Sequence, residues 1–583
     1  MMIKVELFKL TLTAFLSSVI ALNVNAKPFL GAELDPDKYE NTPKTAPLSR
    51  GNFTELPSQY SLKSHLPPIL SQGEQGSCVG WSSAYAARTL LDSKAKPQRK
   101  HSNNAFSPSF VYNQIRLGQQ CKKGSYIPEA LDVLKYQGVL PLSQFPYNEN
   151  QCFQTPSASQ KQAAAEHRIG DWRRLFSKTS TNRHIPVRRA LAQGHPVVIG
   201  MNIPESFFNY KGGVYRATKN EYKAIRSNDP ALQRRYLGGG HAMTAIGYND
   251  QQQWIEVANS WGTDWGEKGF IRISWDTFNT FVREGYEMIP PPPAAPPKPQ
   301  KPNMHLSLRF VDAAGTQMKV KQKGAGWELL EPVPSGGLFR VEASPKQQSY
   351  IYVIGVGSDN AMVTLFPRNK TVSPVINHNE TMLLPGPTEQ HFTRLDDNIG
   401  KDRYLVLASK KSLNISQLEK SLKRSKAKNL EEKLKDVLGE KFVDLHLKKM
   451  SNDQVDLAAV VKDEQVATMT VTINHVSSDG YNTDKRQPII VLTSPSKDNF
   501  DTLKTTPFVV DSHHVTLIGK AQDTSAIKSV AVEDATTLKF SNRGPFKAEV
   551  ALPEGKGPHS VLISATDIHG NRAEKTVQFI VQD

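Results

Sequence analysis

The chain has 583 residues, of which 38% are hydrophobic and 22% charged. That length exceeds what one core supports, so about two to four domains are expected, soluble and joined by polar linkers. The formal net charge of +16 favours anionic surfaces, polysaccharides or acidic proteins as contacts. No zinc-finger spacing, aromatic-basic RNA signature or recognition-helix pattern accompanies it, which argues against nucleic acid as a partner.

Residues 1–26 begin with Lys4 and Lys9, continue with a short apolar stretch, and end on the small residues Val24 and Ala26. This pattern predicts a secretory signal peptide cut after Ala26, and hence an exported protein, periplasmic or extracellular. No later stretch is long and apolar enough to predict a transmembrane segment. Residues 27–55 mix Pro, Gly and charge without a period and predict an extended N-terminal arm.

Next comes Gln72-Gly-Glu-Gln-Gly-Ser-Cys78-Val-Gly-Trp81. The segment from Val79 to Leu91 is rich in Ala, Leu and aromatic residues and lacks Pro, so it predicts a buried helix starting at Cys78. The positive end of that helix would favour a thiolate. Pro128 to Tyr136 predicts an amphipathic helix ended at Gly138, and Asn182 to Leu191 another. Pro196-Val-Val-Ile-Gly-Met-Asn, Ala242-Met-Thr-Ala-Ile-Gly and Gly269-Phe-Ile-Arg-Ile predict strands. Two further motifs flank them: Gly238-Gly-Gly-His241 and Val257-Ala-Asn259-Ser-Trp261-Gly.

A thiol, an imidazole and an amide in this order supply the parts of a nucleophilic site. Cys78 would attack, His241 would take and return the proton, and Asn259 would orient the ring. The amide of Gln72, with the backbone N–H of Cys78, would stabilise an oxyanion. No metal ligand set and no cofactor motif is visible, so neither is expected.

Pro290 to Pro302 is a polyproline run, semi-rigid at about 3 Å per residue, and predicts a spacer. It leads to the expectation that a chain ending near Pro290 folds alone. Residues 304–409 are β-rich, with a hairpin predicted around Gly357-Ser-Asp-Asn. Residues 410–450 contain a Lys-rich helical segment, Ser412 to Leu447, with Leu418, Leu422, Leu430, Leu434, Val437 and Leu438 on its apolar stripe. Residues 451–485 are a short β or linker segment. Residues 486–583 alternate apolar and polar positions and predict a β-sandwich, in which Asp567 and Asn571 form a turn rather than a cation site.

From about Leu56 to Pro290 the Gln72, Cys78, His241 and Asn259-Ser-Trp261-Gly segments resemble those of the papain-like cysteine peptidases. The resemblance implies a two-lobed α+β fold with a helical lobe, a β-barrel-like lobe and a peptide-binding cleft between them. It implies that Gly124 and Ser125 pair with substrate backbone and that Trp261 shields the His241–Asn259 pair. Cys121 and Cys152, the two cysteines left over if Cys78 is the nucleophile, are spaced like a disulfide of that family's helical lobe. The chain departs from well-known members in Val79, where they carry Trp, in Gln75, where they carry Cys, and in lacking a long helical pro-segment. Residues 304–409 resemble an uncharacterised bacterial domain of exported proteins through Ser349-Tyr-Ile-Tyr-Val, Leu365-Phe-Pro367 and Arg403-Tyr-Leu-Val-Leu-Ala-Ser. The last 98 or so residues resemble bacterial immunoglobulin-like modules.

The expected protein is therefore multidomain: a papain-like peptidase domain at 56–289, a proline-rich linker at 290–303, and β-rich accessory domains ending in an immunoglobulin-like sandwich. Its expected function is an exported cysteine endopeptidase acting on proteins or peptides, with anionic surfaces or polysaccharides as contacts of the C-terminal domains. The alternative is a secreted adhesion or binding protein whose papain-like domain is inactive.

Overall fold

The structure is a computed structural model. It describes residues 27–49, 51–54, 56–97, 105–292, 302–313, 315–323, 326–386, 392–451, 454–478, 487–494, 508–510, 512–523, 526–541, 544–553, 557–568 and 570–581. The predicted signal peptide and residues 293–301 of the proline-rich run lie outside them.

The first lobe of the peptidase region is helical. Its central helix begins at Cys78 as predicted (Cys78–Gly80), widens into an i→i+5 turn over Trp81–Arg88, and resumes over Thr89–Ala95. Val79, Ala84, Ala87, Leu90 and Leu91 are buried along it, which is why the stretch reads as apolar on all sides. Pro108–Ile115 packs on it, started by Ser107, whose hydroxyl accepts from the Phe110 amide. Cys121 and Cys152 are joined by a disulfide, and Cys78 is free.

The second lobe is an eight-stranded sheet. Its strands run in the order Asp171–Arg174, Val282–Ile289, Val197–Pro204, Leu237–Asn249, Trp254–Ala258, Phe270–Ser274 and Val214–Tyr215, and Gln59–Ser61 pairs off this path with Leu237–Asn249. Val197–Pro204 is buried on nearly every residue, as befits a strand covered on both faces. Thr244 ties the lobes together by donating its hydroxyl to the Ser82 carbonyl at 2.9 Å.

Beyond residue 302, two sheets share an apolar core that includes Phe310, Phe339, Ile351, Val406, Leu457 and Val471. The predicted hairpin is present: Ser349–Val356 pairs antiparallel with Met362–Phe366. The Lys-rich segment is not one helix. It forms Ile415–Arg424 and Leu430–Leu438, which bury Leu422, Leu430 and Leu434 against the neighbouring sheet. Residues Phe442–Asp444 and His446–Ser451 are strands. Gln454–Ala459 and Val466–Val476, in the stretch predicted as a short β or linker segment, pair with Met304–Asp312 and Gly400–Ser409. Their alternating Val, Leu, Ile and Thr residues thus complete the two sheets instead of connecting domains.

Two four-stranded sheets follow around a separate apolar core with Leu517, Phe546, Ile563 and Phe579. Asp567 and Asn571 close a turn there: the Asn571 amide N–H donates to Asp567 Oδ1 at 2.8 Å.

The peptidase region and the β-rich region are in direct contact. Arg173 is fully buried between Glu287 of the peptidase sheet at 2.9 Å and Glu380 of the β-rich region at 2.7 Å. Arg189 pairs with the same two carboxylates. Burial works to raise both carboxyls, yet Arg173 and Arg189 hold Glu287 well below the usual carboxylate range and hold Glu380 below it too. Tyr350 donates its hydroxyl to Asp171 Oδ2 at 2.9 Å. This contact argues against the expectation of an independently folding chain up to Pro290, because truncation there would strip Glu380 from two buried arginines.

Candidate functional site

The central helix delivers Cys78 from one lobe, and strand Leu237–Asn249 delivers His241 from the other. His241 Nε2 and Asn259 Oδ1 are 2.8 Å apart, and both residues are buried. The Trp261 ring stacks on the imidazole at 4.6 Å between centroids, so it covers the His–Asn pair. The Ala242 amide donates to Cys78 Sγ at 3.4 Å, which sets the thiol beside the residue after His241. Gln72 sits in the same site, its backbone amide donating to the Ser260 carbonyl at 2.8 Å.

The site is closed by the N-terminal arm. Gln72 Nε2 donates to the Phe29 carbonyl at 3.1 Å, and Trp261 Nε1 donates to the same oxygen at 3.3 Å. Ser125 N donates to the Gly31 carbonyl at 3.0 Å, and Glu33 N donates back to the Ser125 carbonyl at 3.1 Å. The Ala32 amide donates to Gly240 at 3.2 Å. Arm and Ser125 run parallel. Glycine is required at this crossing: a Cβ on Gly31 would come within 2.2 Å of the Gly76 carbonyl oxygen, and one on Gly240 within 2.1 Å of the Ala32 oxygen. Leu34 fills a hollow over Gly200 beside Ile127 and Glu284.

Cys78 and His241 are both fully buried in this closed site. Burial pushes the Cys78 thiol up to about 12 despite hydrogen bonds from backbone amides, Ala242 foremost. Burial also pulls His241 down to about 4 against the hydrogen bond to Asn259. Among the described residues His241 Nδ1 has no hydrogen-bond partner. In this conformation burial works against the charged form of both groups. Burial raises Glu284, under Leu34, to about 7, although Tyr286 and the Asp35 amide both donate to it.

The structure thus brings together Gln72, Cys78, Ser125, His241, Asn259 and Trp261, with Gly124 next to Ser125 and against Gly31. The sequence did not reveal Ser260, whose hydroxyl donates to Gln72 Oε1 at 2.7 Å and so turns Nε2 toward the Phe29 oxygen. It did not reveal Tyr147, which donates to the Gln72 carbonyl at 2.7 Å, or Phe208, stacked on Trp261 at 5.5 Å. Adjacency of Ser260 to Asn259 was the one available signal. Among the described residues no cluster of His, Cys, Asp or Glu could hold a metal ion.

Over the peptidase region the chain is similar to known proteins. Residues 56–287 match the family described as papain family cysteine protease, and residues 333–412 match a domain of unknown function. An uncharacterised peptidase C1-like protein of Acanthamoeba polyphaga mimivirus is 27% identical over 224 residues, 36% of this chain and 66% of that protein. A cathepsin B-like protein of Giardia intestinalis is 25% identical over 241 residues, 38% of this chain and 72% of its own. Among solved structures, the cysteine protease xylellain from Xylella fastidiosa aligns with 20% identity and a TM-score of 0.35, covering 45% of this chain and 96% of that one. Residues 56–287 of this chain are accordingly a papain-family cysteine protease domain, followed by a β-rich region that contains a domain of unknown function.

Proposed function

We propose that the protein is an exported cysteine endopeptidase held latent by residues 27–34, with Cys78 as nucleophile, His241 as base and acid, Asn259 as the residue that orients it and Gln72 as oxyanion donor. Once the arm leaves, His241 Nδ1 takes the Cys78 proton and the thiolate attacks a peptide carbonyl carbon. The carbonyl oxygen gains negative charge and accepts from Gln72 Nε2 and the Cys78 amide. Collapse breaks the C–N bond, the imidazolium proton goes to the leaving amine, and a thioester remains. Water, deprotonated by His241, then releases the acid and restores the thiol. Ser125 pairs with substrate backbone through the groups that now hold Gly31 and Glu33, with Gly124 beside it leaving room for the close approach.

The observation that carries this reading is the Phe29 carbonyl, seated in front of the Gln72 amide where a substrate carbonyl would polarise. Export is supported by the Cys121–Cys152 disulfide, a bond typical of oxidising compartments. The test is an epoxide inhibitor of thiol peptidases applied to the whole chain and to a form lacking residues 27–34. A single adduct on Cys78, formed far faster in the shortened form and paralleled by peptide hydrolysis, is the expected result. A shortened, folded form that neither reacts nor hydrolyses peptides would leave a binding protein with an inert domain.

A further inference from the structure

Segments 179–183, 216–226 and 276–283 of the peptidase domain line an open cavity of about 970 Å³ that shares no lining residue with the cleft. Four arginines line it against one acid, Asp276: Arg183, which donates to the Val282 and Lys178 carbonyls, and three others, Arg216, Arg226 and Arg283. Among the described residues none of these three guanidiniums forms an ion pair, whereas Arg188 and Arg272 of the same domain hold Asp250 and Glu267. Arg216 and Arg226 converge on the Tyr222 phenol, whose charge environment they set together with Asp276. Arg226 also lies over the Tyr222 ring at 5.8 Å.

Arg283 is the informative member. It is half-buried, and burial alone lowers its pKa, with no carboxylate opposing the effect. Glu284, its neighbour on the strand, projects to the opposite face and bonds Tyr286 and Asp35 instead. A guanidinium withdrawn from water without a counter-charge is costly, and an anion from outside removes that cost. The arginine fork matches tetrahedral oxyanions through paired N–H groups. A single phosphate or carboxylate would match one guanidinium and leave most of this volume empty.

We propose that this cavity binds a polyanion bearing phosphate or sulfate groups. The test is calorimetric titration of the full-length protein with tripolyphosphate and with a disulfated disaccharide. Saturable binding of one molecule of at least one probe is expected, weakened at least ~10-fold in Arg216→Gln and in Arg283→Gln, as loss of a charge-assisted contact implies. Arg216 is exposed, so its substitution leaves the fold intact even if that of Arg283 does not. A control variant removes three positive charges from the exposed Lys420, Arg424 and Lys426 and should bind within about twofold of the native protein. Binding of tripolyphosphate alone identifies a phosphate ligand, and binding of the disaccharide alone a sulfated one. No binding of either probe, unchanged binding in Arg216→Gln, or equal weakening in the control overturns the proposal.

Discussion

The side-chain amide of Gln72 donates to the backbone carbonyl of Phe29 at 3.1 Å, and Ser260 fixes that amide from behind at 2.7 Å. A residue 43 positions upstream in the chain thus sits where, on the proposed function, an oxyanion would be held. The closed state is therefore held by the same polar groups that the open state would use.

Loosening this contact should open the site. Gly31→Val places a side chain where even a Cβ meets the Gly76 carbonyl oxygen at 2.2 Å, so the arm must lift. Iodoacetamide labelling of Cys78 at pH 7 should rise at least ~10-fold, because the thiol is no longer desolvated toward its closed value of about 12. Equal labelling rates in the two proteins would show that the arm does not govern access.

The residues of the cleft should separate by role once the arm is removed. Cys78→Ala should abolish peptide hydrolysis while leaving the thermal midpoint nearly unchanged. Gln72→Ala should lower kcat by about 10²–10³, corresponding to roughly 3–4 kcal/mol of lost oxyanion stabilisation. Ser260→Ala should fall between Gln72→Ala and wild type, because the amide remains but is no longer aimed. Asn259→Ala should be milder than His241→Ala. Steady-state kinetics on one short peptide decides the order.

Glu380→Ala should destabilise the protein by about 3–5 kcal/mol, since it leaves Arg173 and Arg189 buried with half their counter-charge. Denaturant unfolding measures this. A chain ending near Pro290 should show the same defect and unfold more readily than the full-length protein. Equal stability of the truncated peptidase region would show that the buried cluster is dispensable.

The carboxyl of Glu284 sits at about 7 in the fold against 4.5 for an exposed glutamate. The fold therefore favours its neutral form. The associated stabilisation is complete below about pH 4.5 and is lost as the pH rises through about 7, a change of up to ~3 kcal/mol. Melting curves of native protein and Glu284→Gln at pH 5 and pH 8 should show a larger loss in the native protein. Parallel losses would place the titration elsewhere.

Breaking the Cys121–Cys152 bridge by Cys152→Ser should cost about 3–4 kcal/mol for a loop of 31 residues in the chain-entropy model. Non-reducing peptide mapping of native protein should find this bridge with Cys78 free.

The convergence of the cleft residues was legible because each of them sits in a short, dense motif: Gln72 to Cys78, the glycines before His241, and Asn259 to Trp261. An arm at 27–55 was legible but its docking in the cleft was not, because residues 27–34 have no period and find their partners only in the folded cleft. The domain contact was hidden for a related reason. Arg173, Arg189, Glu287 and Glu380 lie far apart in sequence and read singly as solvated charges, and only their pairing in space permits burial. The break in the Lys-rich helix had a local signal that the apolar stripe masked: Asn429 caps the second helix by accepting from the Glu432 amide at 2.9 Å.

The arm does two separable things along its length. Residues 27–34 cover the thiol, while farther on Lys44 bridges to Arg174 and Val372, and Leu48 to Met382, sewing the peptidase region to the β-rich region. Between the two functions lies the short helix Pro36–Glu40. A single nick there would detach only the lid and leave the seam intact, so that unmasking the nucleophile need not loosen the molecule around it.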